Sequence, residues 1–244
     1  MRTTKSLAVV LLCCGVAFVP RPVNGRAADE AKEVTLDAPN RVAVRVRMQA
    51  PYDAETPLQV VCYFKHKMSG DTTTGSAAEM DRRLSGAVAS LRNRGEFVGE
   101  ELETLLLTTV DGTIKPKRLL LVGLGDEKNL SLGTLERVGK VVLREAAKLG
   151  VERVAFAPNL QDQGNSQLDV GDVERAVTRG MLLAYDTERR LQKQGLAKAW
   201  TLEEWVAEAG EKYFADTLPG APNGIEDARA SIARRPPEPY GGGK

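Results

Sequence analysis

Residues 118–157 have the sequence RLLLVGLGDEKNLSLGTLERVGKVVLREAAKLGVERVAFA. The apolar run Arg118–Leu124 is typical of a buried strand, and its apolar content is the densest in the chain, so we expect it to be the central strand. Apolar side chains then recur at helical spacing over Leu132–Leu149 and stop at Gly150. Val151–Ala157 is again strand-like, so the stretch predicts a βαβ unit with parallel strands.

The neighbouring segments extend this alternation in both directions. Strands are predicted at 42–48, where apolar and polar residues alternate, at 58–64, which is continuously apolar, and at 103–110. Helical spacing covers 76–94 and 170–191. Alternating strands and helices predict an α/β protein with a mostly parallel sheet between two helix layers.

Two further segments are predicted beyond the last of these helices. Residues 199–217 contain a candidate amphipathic helix, Thr201–Ala215, which starts with a capping box formed by Thr201 and Glu204. Docking of this helix on its own domain is the favoured interpretation, and binding to a partner is the alternative. The partner-binding face would consist of Leu202, Trp205, Val206, Ala209 and Tyr213. Residues 218–244 are rich in proline and glycine and are predicted to be a disordered tail.

The first 25 residues have the layout of a secretory signal peptide. Arg2 and Lys5 precede an apolar run, Leu7–Val19, which is shorter than the roughly 20 residues of a membrane-spanning helix. Cleavage is expected after Gly25, with Ala27 as the alternative. We therefore expect an exported protein, periplasmic or extracellular, with no stable membrane span after cleavage.

Composition restricts the function classes further. The 244 residues are 42% hydrophobic and 27% charged, a balance typical of one soluble globular domain. After removal of residues 1–25 the chain has 31 basic and 33 acidic residues, so nucleic-acid binding is not favoured. Cys62 is the single cysteine of that shortened chain, which excludes an internal disulfide.

Catalytic and cofactor motifs are absent from the sequence. His66 is the only histidine, no His/Cys cluster suits a metal, and no Gly-x-Ser-x-Gly elbow occurs, so we predict no catalytic residue, metal or cofactor. Gly123, Leu124 and Gly125 lie at the carboxyl end of the expected central strand and are a candidate ligand cradle. A structural turn is the favoured interpretation, because Lys128 stands where a dinucleotide motif requires a third glycine.

A set of short motifs resembles the amino-terminal domain of the leucyl (cytosol) aminopeptidase family, peptidase family M17. The motifs are Met80-Asp81 with Leu84 and Gly86, RGEFVG at 94–99, ETLLL at 103–107, KRLLLVGLG at 117–125, AAKLGV at 146–151 and GMLLAY at 180–185. The resemblance covers about 34–195. It implies a macro-domain-like, three-layer α/β/α sandwich with a mixed, mostly parallel sheet.

The same resemblance implies that the family's two-metal peptidase site, which lies in a separate carboxy-terminal domain, is missing from this sequence. No segment after Leu191 resembles the metal-binding motifs of that domain. The expected function is therefore an exported, non-catalytic binding or assembly module, with a protein partner or homo-oligomer implied by the hexamers of the family. The alternatives are a macro-like domain for a nucleotide or ADP-ribose-type ligand, and a subunit or remnant of a metal-dependent aminopeptidase.

Overall fold

The computed structural model describes residues 32–67 and 69–236. The predicted signal peptide at 1–25 and the last eight residues of the predicted tail lie outside these ranges. The strands are β1 Glu33–Asp37, β2 Ala43–Met48, β3 Gln59–Tyr63, β4 Thr104–Thr108, β5 Arg118–Gly123, β6 Arg153–Ala157 and β7 Glu204–Ala209. The helices are α1 Gly75–Arg83, α2 Ala87–Asn93, α3 Leu132–Leu149, α4 Val170–Lys193, α5 Glu211–Thr217 and α6 Gly220–Ala233.

The seven strands form one mixed sheet in the order β1-β2-β7-β6-β3-β5-β4. The five inner strands are mutually parallel, and the edge strands β1 and β4 pair antiparallel with β2 and β5. The α/β class, the mixed sheet and the βαβ unit β5-α3-β6 are confirmed. The predicted position of β5 is wrong, because β6 is the central strand and β5 lies next to an edge. A dense apolar run indicates that both faces of a strand are buried, but it does not predict the position of that strand in the sheet.

Helices cover the two faces of the sheet unequally. Helices α3, α4 and α6 pack on one face, against side chains such as Val44, Phe156 and Trp205. On the other face Met80 of α1 and Val88 of α2 pack against β3 and β5. The remaining part of that face carries ion pairs between β1, β2 and β7, and the helix layers are therefore complete only on the first face.

The predicted helix at 76–94 is two helices. Helix α1 ends at Arg83 and α2 begins at Ala87, because Ser85 and Gly86 have φ angles of 58° and 77°. This left-handed backbone interrupts the helical hydrogen bonds. Asp81 then accepts hydrogen bonds from the backbone N–H groups of Val88 and Ala89.

The predicted amphipathic helix Thr201–Ala215 is wrong, because Glu204–Ala209 is strand β7, inserted between β2 and β6. Its residues alternate with period two: Trp205 and Ala207 face the helix-covered side, and Val206 faces the other. Trp205 stacks on Phe156 of β6 with ring centroids 5.6 Å apart. Two neighbouring strands thus supply backbone partners that outweigh the local helix-start signal of Thr201 and Glu204.

The predicted disordered tail is also wrong over its first part, because Gly220–Ala233 forms helix α6, which packs on α4. Ala221, Ile225 and Ala228 are buried at helical spacing. A Cβ added at Gly224 would lie 2.6 Å from the carbonyl oxygen of Arg175, so the two backbones approach as closely as glycine allows. Pro219 and Pro222 stand at the start of the helix, where backbone N–H groups have no helical partner to lose.

Within residues 32–67 and 69–236 no helix is both long and apolar enough to cross a bilayer.

Replacement of Trp205 tests the assignment of β7. We expect Trp205→Ala to lower the free energy of unfolding by about 3–5 kcal/mol, because it removes a fully buried aromatic side chain from the middle of the sheet. Leu196→Ala, at a side chain that is 60% exposed, is the control and should change it by less than about 0.5 kcal/mol. Urea titration measures both variants. Equal losses in the two variants would contradict the inner position of β7 between β2 and β6.

Candidate ligand cleft at the carboxyl edge of the sheet

A cleft of about 370 Å³ opens where the parallel strands β2, β6 and β7 end. Met48, Ala157 and Ala209, the last residues of these strands, line it. Ligands of open α/β sheets commonly bind at this edge, and the volume lies in the range of small-molecule sites. The cleft is therefore the candidate ligand site of the described chain.

Three connecting segments and three helices form the rest of the lining. The turn after β2 contributes Pro51 and Tyr52, and the loop after β6 contributes residues 158, 159, 161 and 162. Helix α1 contributes Ser76, and α4 contributes Val173. In the segment after β7, Tyr213 of α5 lines the cleft. Much of the lining is apolar, and the polar groups are few and specifically placed.

The first of these polar groups is the carboxyl of Glu208 on β7, which is only 6% exposed. Alternation along β7 places Glu208 on the face opposite Trp205. Gln59 Nε2 donates a hydrogen bond of 2.6 Å to Glu208 Oε2, and Glu208 Oε1 has no hydrogen-bond partner. Burial raises the pKa of Glu208 to about 8, although the bond from Gln59 and the charge of Arg47 both favour the ionised form.

Glu174 on α4 is a second buried acid in the cleft, and it is 3% exposed. Thr178 Oγ1, one helical turn further along, donates a hydrogen bond of 2.5 Å to Glu174 Oε1. Burial raises the pKa of Glu174 to about 7, and the bond from Thr178 opposes that shift. Two carboxyls of this site therefore change protonation near neutral pH.

Asp162 joins the loop after β6 to the start of α1. Its Oδ2 accepts hydrogen bonds from Ser76 Oγ at 2.5 Å and from the backbone N–H of Ala77 at 2.9 Å. Gly75 has a φ of 53°, and a Cβ there would lie 2.4 Å from Asp162 Oδ1, so this contact requires glycine. Asp162 is thus held in place on one side of the cleft.

Asn159, in the same loop, is 7% exposed and has a left-handed backbone, with a φ of 52°. Its Oδ1 lies 3.5 Å from Ser76 Oγ, and its Nδ2 has no hydrogen-bond partner. Two side chains of the lining, Glu208 and Asn159, thus each carry a buried polar atom, Oε1 and Nδ2, that has no hydrogen-bond partner among the described residues.

The charge of the lining is one-sided. Asp162, Glu174, Glu208 and Glu211 line the cleft, and the described lining includes no lysine, arginine or histidine. A cation or a hydrogen-bond donor is therefore attracted into the cleft, whereas a phosphate group would be repelled.

Gly123, Leu124 and Gly125 do not form the predicted ligand cradle. Their backbone N–H groups donate to the carbonyl oxygens of Glu103, Tyr63 and Gly99, at 2.8, 2.8 and 2.9 Å. None of the three N–H groups is free for a phosphate. The favoured interpretation as a structural turn therefore holds, and this turn is not part of the cleft.

The residues of the predicted partner-binding face are not exposed on the protein surface. Leu202, Trp205, Val206 and Ala209 are buried in the domain, and Tyr213 is partly buried and lines the cleft. Sequence reasoning missed Glu208 because its helix assignment hid the period-two pattern. An acid followed and preceded by apolar residues in an inner strand, as Glu208 is in β7, would have indicated a polar site.

Over residues 32–67 and 69–236 no group of three or more His, Cys, Asp or Glu side chains is placed to hold a metal ion.

Comparison with known proteins agrees with this architecture. Residues 60–194, more than half of the chain, match the family model for the cytosol aminopeptidase family, N-terminal domain. A probable cytosol aminopeptidase of Thermosynechococcus vestitus is 29% identical over 121 residues, which is 50% of this chain and 23% of that protein. One of Alkaliphilus oremlandii is 29% identical over 162 residues, 64% of this chain and 31% of that protein. The chain thus spans about a quarter to a third of these relatives.

Solved structures share the fold. A tomato leucine aminopeptidase superposes with a TM-score of 0.59 at 16% identity, over 81% of this chain and 38% of that one. An Oceanobacillus iheyensis macrodomain with ADP superposes with a TM-score of 0.51 at 11% identity, over 84% of this chain and 99% of that one. The macro-domain-like, three-layer α/β/α fold is therefore confirmed.

The buried acid of β7 predicts a pH-dependent stability. The unfolded chain releases the Glu208 proton near pH 4.5 and the folded protein near pH 8, so the free energy of unfolding falls as the pH rises through this window. Glu208→Gln keeps an acceptor for Gln59 and has no charge to bury. We expect its stability relative to the wild type to rise by a few kcal/mol, on the order of 2–4, between pH 5 and pH 9.

Glu204→Gln is the matched control for this measurement. Glu204 lies on the same strand, but it pairs with Arg45 outside the cleft. Its stability difference from the wild type should therefore stay constant between pH 5 and pH 9. Thermal or urea unfolding at each pH gives both differences, and a Glu208→Gln difference that did not change with pH would show that Glu208 ionises normally.

Proposed function

Because this chain belongs to the cytosol aminopeptidase family through that family's N-terminal domain, we propose that it acts as a non-catalytic binding or assembly module. One observation carries the proposal: the described residues beyond the family match complete the same domain. Strand β7 fills the sheet between β2 and β6, and α6 packs on α4. In the family, as the resemblance implies, the peptidase site lies in a different domain.

The cleft supports the binding role. It is preformed at the edge where α/β sheets usually hold ligands, and it contains buried polar atoms that the described chain leaves without partners. Buried polar groups in folded proteins are nearly always hydrogen-bonded, so such atoms in a cleft favour a ligand that completes them.

The two edge strands support the assembly role. Among the described strands, β1 pairs only with β2, and β4 pairs only with β5. Each exposes an apolar side chain, Val34 and Leu106 respectively. An exposed strand edge offers unpaired backbone groups to which a strand of another copy or of a partner can add.

A nucleotide-binding role has less support. The macrodomain with ADP shares only the fold at 11% identity, and a fold does not carry a ligand with it. The acidic lining of the cleft and the occupied N–H groups of Gly123–Gly125 both oppose a bound phosphate.

Export is a further part of the proposal, supported by the basic start and apolar run of residues 1–25. Expressed from its full reading frame in a Gram-negative host, the protein should appear in the periplasm or medium with Arg26 as its first residue, or Ala28 for the alternative site. Amino-terminal sequencing identifies the first residue. Leu11→Lys, which interrupts the apolar run, should keep the chain inside the cell, and an unprocessed wild-type chain starting at Met1 would contradict export.

The non-catalytic role is tested by a peptidase assay. We expect the purified protein to release no amino acid from a leucyl reporter above the blank, with or without added Zn²⁺ or Mn²⁺. A full-length leucine aminopeptidase assayed in parallel is the positive control. Metal-dependent release that co-purifies with the protein through two chromatographic steps would overturn the proposal and favour the aminopeptidase-remnant alternative.

A further inference from the structure

The unpartnered atoms of the cleft restrict the chemistry of its ligand. When Glu208 is ionised, its Oε1 requires a hydrogen-bond donor, and this side chain is only 6% exposed. Asn159 Nδ2 requires an acceptor, and that side chain is also more than nine-tenths buried. A ligand that satisfies both atoms must therefore carry a donor near β7 and an acceptor near the loop after β6.

The charge of the lining decides which donor fits best. Glu208 and Glu174 are buried acids, Asp162 and Glu211 add two further carboxyl groups, and no basic side chain of the described lining offsets them. A cationic donor gains attraction from every ionised carboxyl, and these include Glu174 and Glu208 once the pH exceeds their raised pKa values of about 7 and about 8. A neutral donor gains only a hydrogen bond. A bare metal ion does not fit, since the described residues include no three-ligand cluster.

The apolar part of the lining decides what carries the cation. Met48, Pro51, Val173 and Tyr213 lie among the residues around these acids. An apolar chain of several carbons would bury its surface against such walls, which adds affinity that a small hydrated cation lacks.

From these three observations we infer that the cleft binds a primary ammonium group attached to an apolar chain, with the ammonium at Glu208. This inference rests on the proposed binding function and names its ligand class. The nearby Asn159 amide would hold a carbonyl or hydroxyl oxygen of a larger ligand of this class.

The protonation of the cleft supports the same assignment. Arg47 on β2 and Gln59 on β3 act on Glu208 from the neighbouring strands, and Glu174, Asp162 and Glu211 are the other acids of the lining. Because an ammonium ion pairs with the ionised carboxyl, its affinity should rise between pH 6 and pH 8.5 as Glu208 loses its proton.

Three ligands with the same six-carbon chain separate charge from hydrophobicity: n-hexylamine, 1-hexanol and hexanoate. Titration into the ¹⁵N-labelled protein at pH 8.5 gives affinities, and the shifted amide resonances locate the site. We expect n-hexylamine to bind about tenfold more tightly than 1-hexanol and to shift residues 48–52, 157–162 and 208–213. Hexanoate should bind more weakly than 1-hexanol.

Matched variants assign the effect to one carboxyl. Glu208→Gln should lower the affinity for n-hexylamine about tenfold and leave that for 1-hexanol unchanged. Glu204→Gln, on the same strand outside the cleft, should change neither. The resonances of the unliganded variants report whether each is folded, and the wild-type mapping does not depend on any variant.

Three other results of these titrations would contradict the inference or part of it. Equal affinities for the amine and the alcohol, or preference for hexanoate or for ADP in a parallel titration, would overturn the inference and leave the binding function standing with another ligand class. An amine effect that Glu208→Gln does not reduce would overturn the place of Glu208. If none of the four ligands shifted the cleft resonances, both the inference and the cleft's binding role would fail.

Discussion

The hydrogen bonding of β7 to β2 on one side and β6 on the other is the interaction on which the rest of the structure depends. Within residues 32–67 and 69–236, the β1-β2 pair is joined to the other strands of the sheet only through residues 204–209. The strand also brings Trp205 onto Phe156 in the larger core. A segment beyond the family match of residues 60–194 therefore completes the domain that the match begins.

The same strand connects the core to the candidate site. Because side chains alternate across a strand, Trp205 and Ala207 enter the helix-covered core while Glu208 lies on the other side, at the carboxyl edge. Burying an acid there is costly, and the bond from Gln59 on β3 offsets only part of that cost, as the raised pKa of Glu208 shows. The protonated form of this carboxyl is therefore favoured until the pH rises or a cation pairs with it.

Macrodomains share the fold of this chain, but a shared fold does not determine which ligand is bound. The fold is shared with the Oceanobacillus iheyensis protein. The described lining of the cleft combines four carboxyls with apolar walls. The acidic charge of the lining, and not the topology of the fold, is therefore the reason that we propose an ammonium-bearing ligand and not a phosphate.

By itself, the sequence determined the segments whose periodicity is strong and whose ends are marked. Helix α3 has its predicted bounds, Leu132 to Leu149, because its apolar spacing is regular and Gly150 ends it. Only the tertiary structure showed that residues 204–209 form a strand and that residues 220–233 form a helix. It also showed the cleft at the end of that strand. The local sequence pattern indicates that a side chain such as Trp205 is buried. Whether its segment forms a helix or a strand depends on the elements that pack beside it. Those neighbours, β2 and β6, are distant in sequence, and so is Gln59, the hydrogen-bond partner of Glu208.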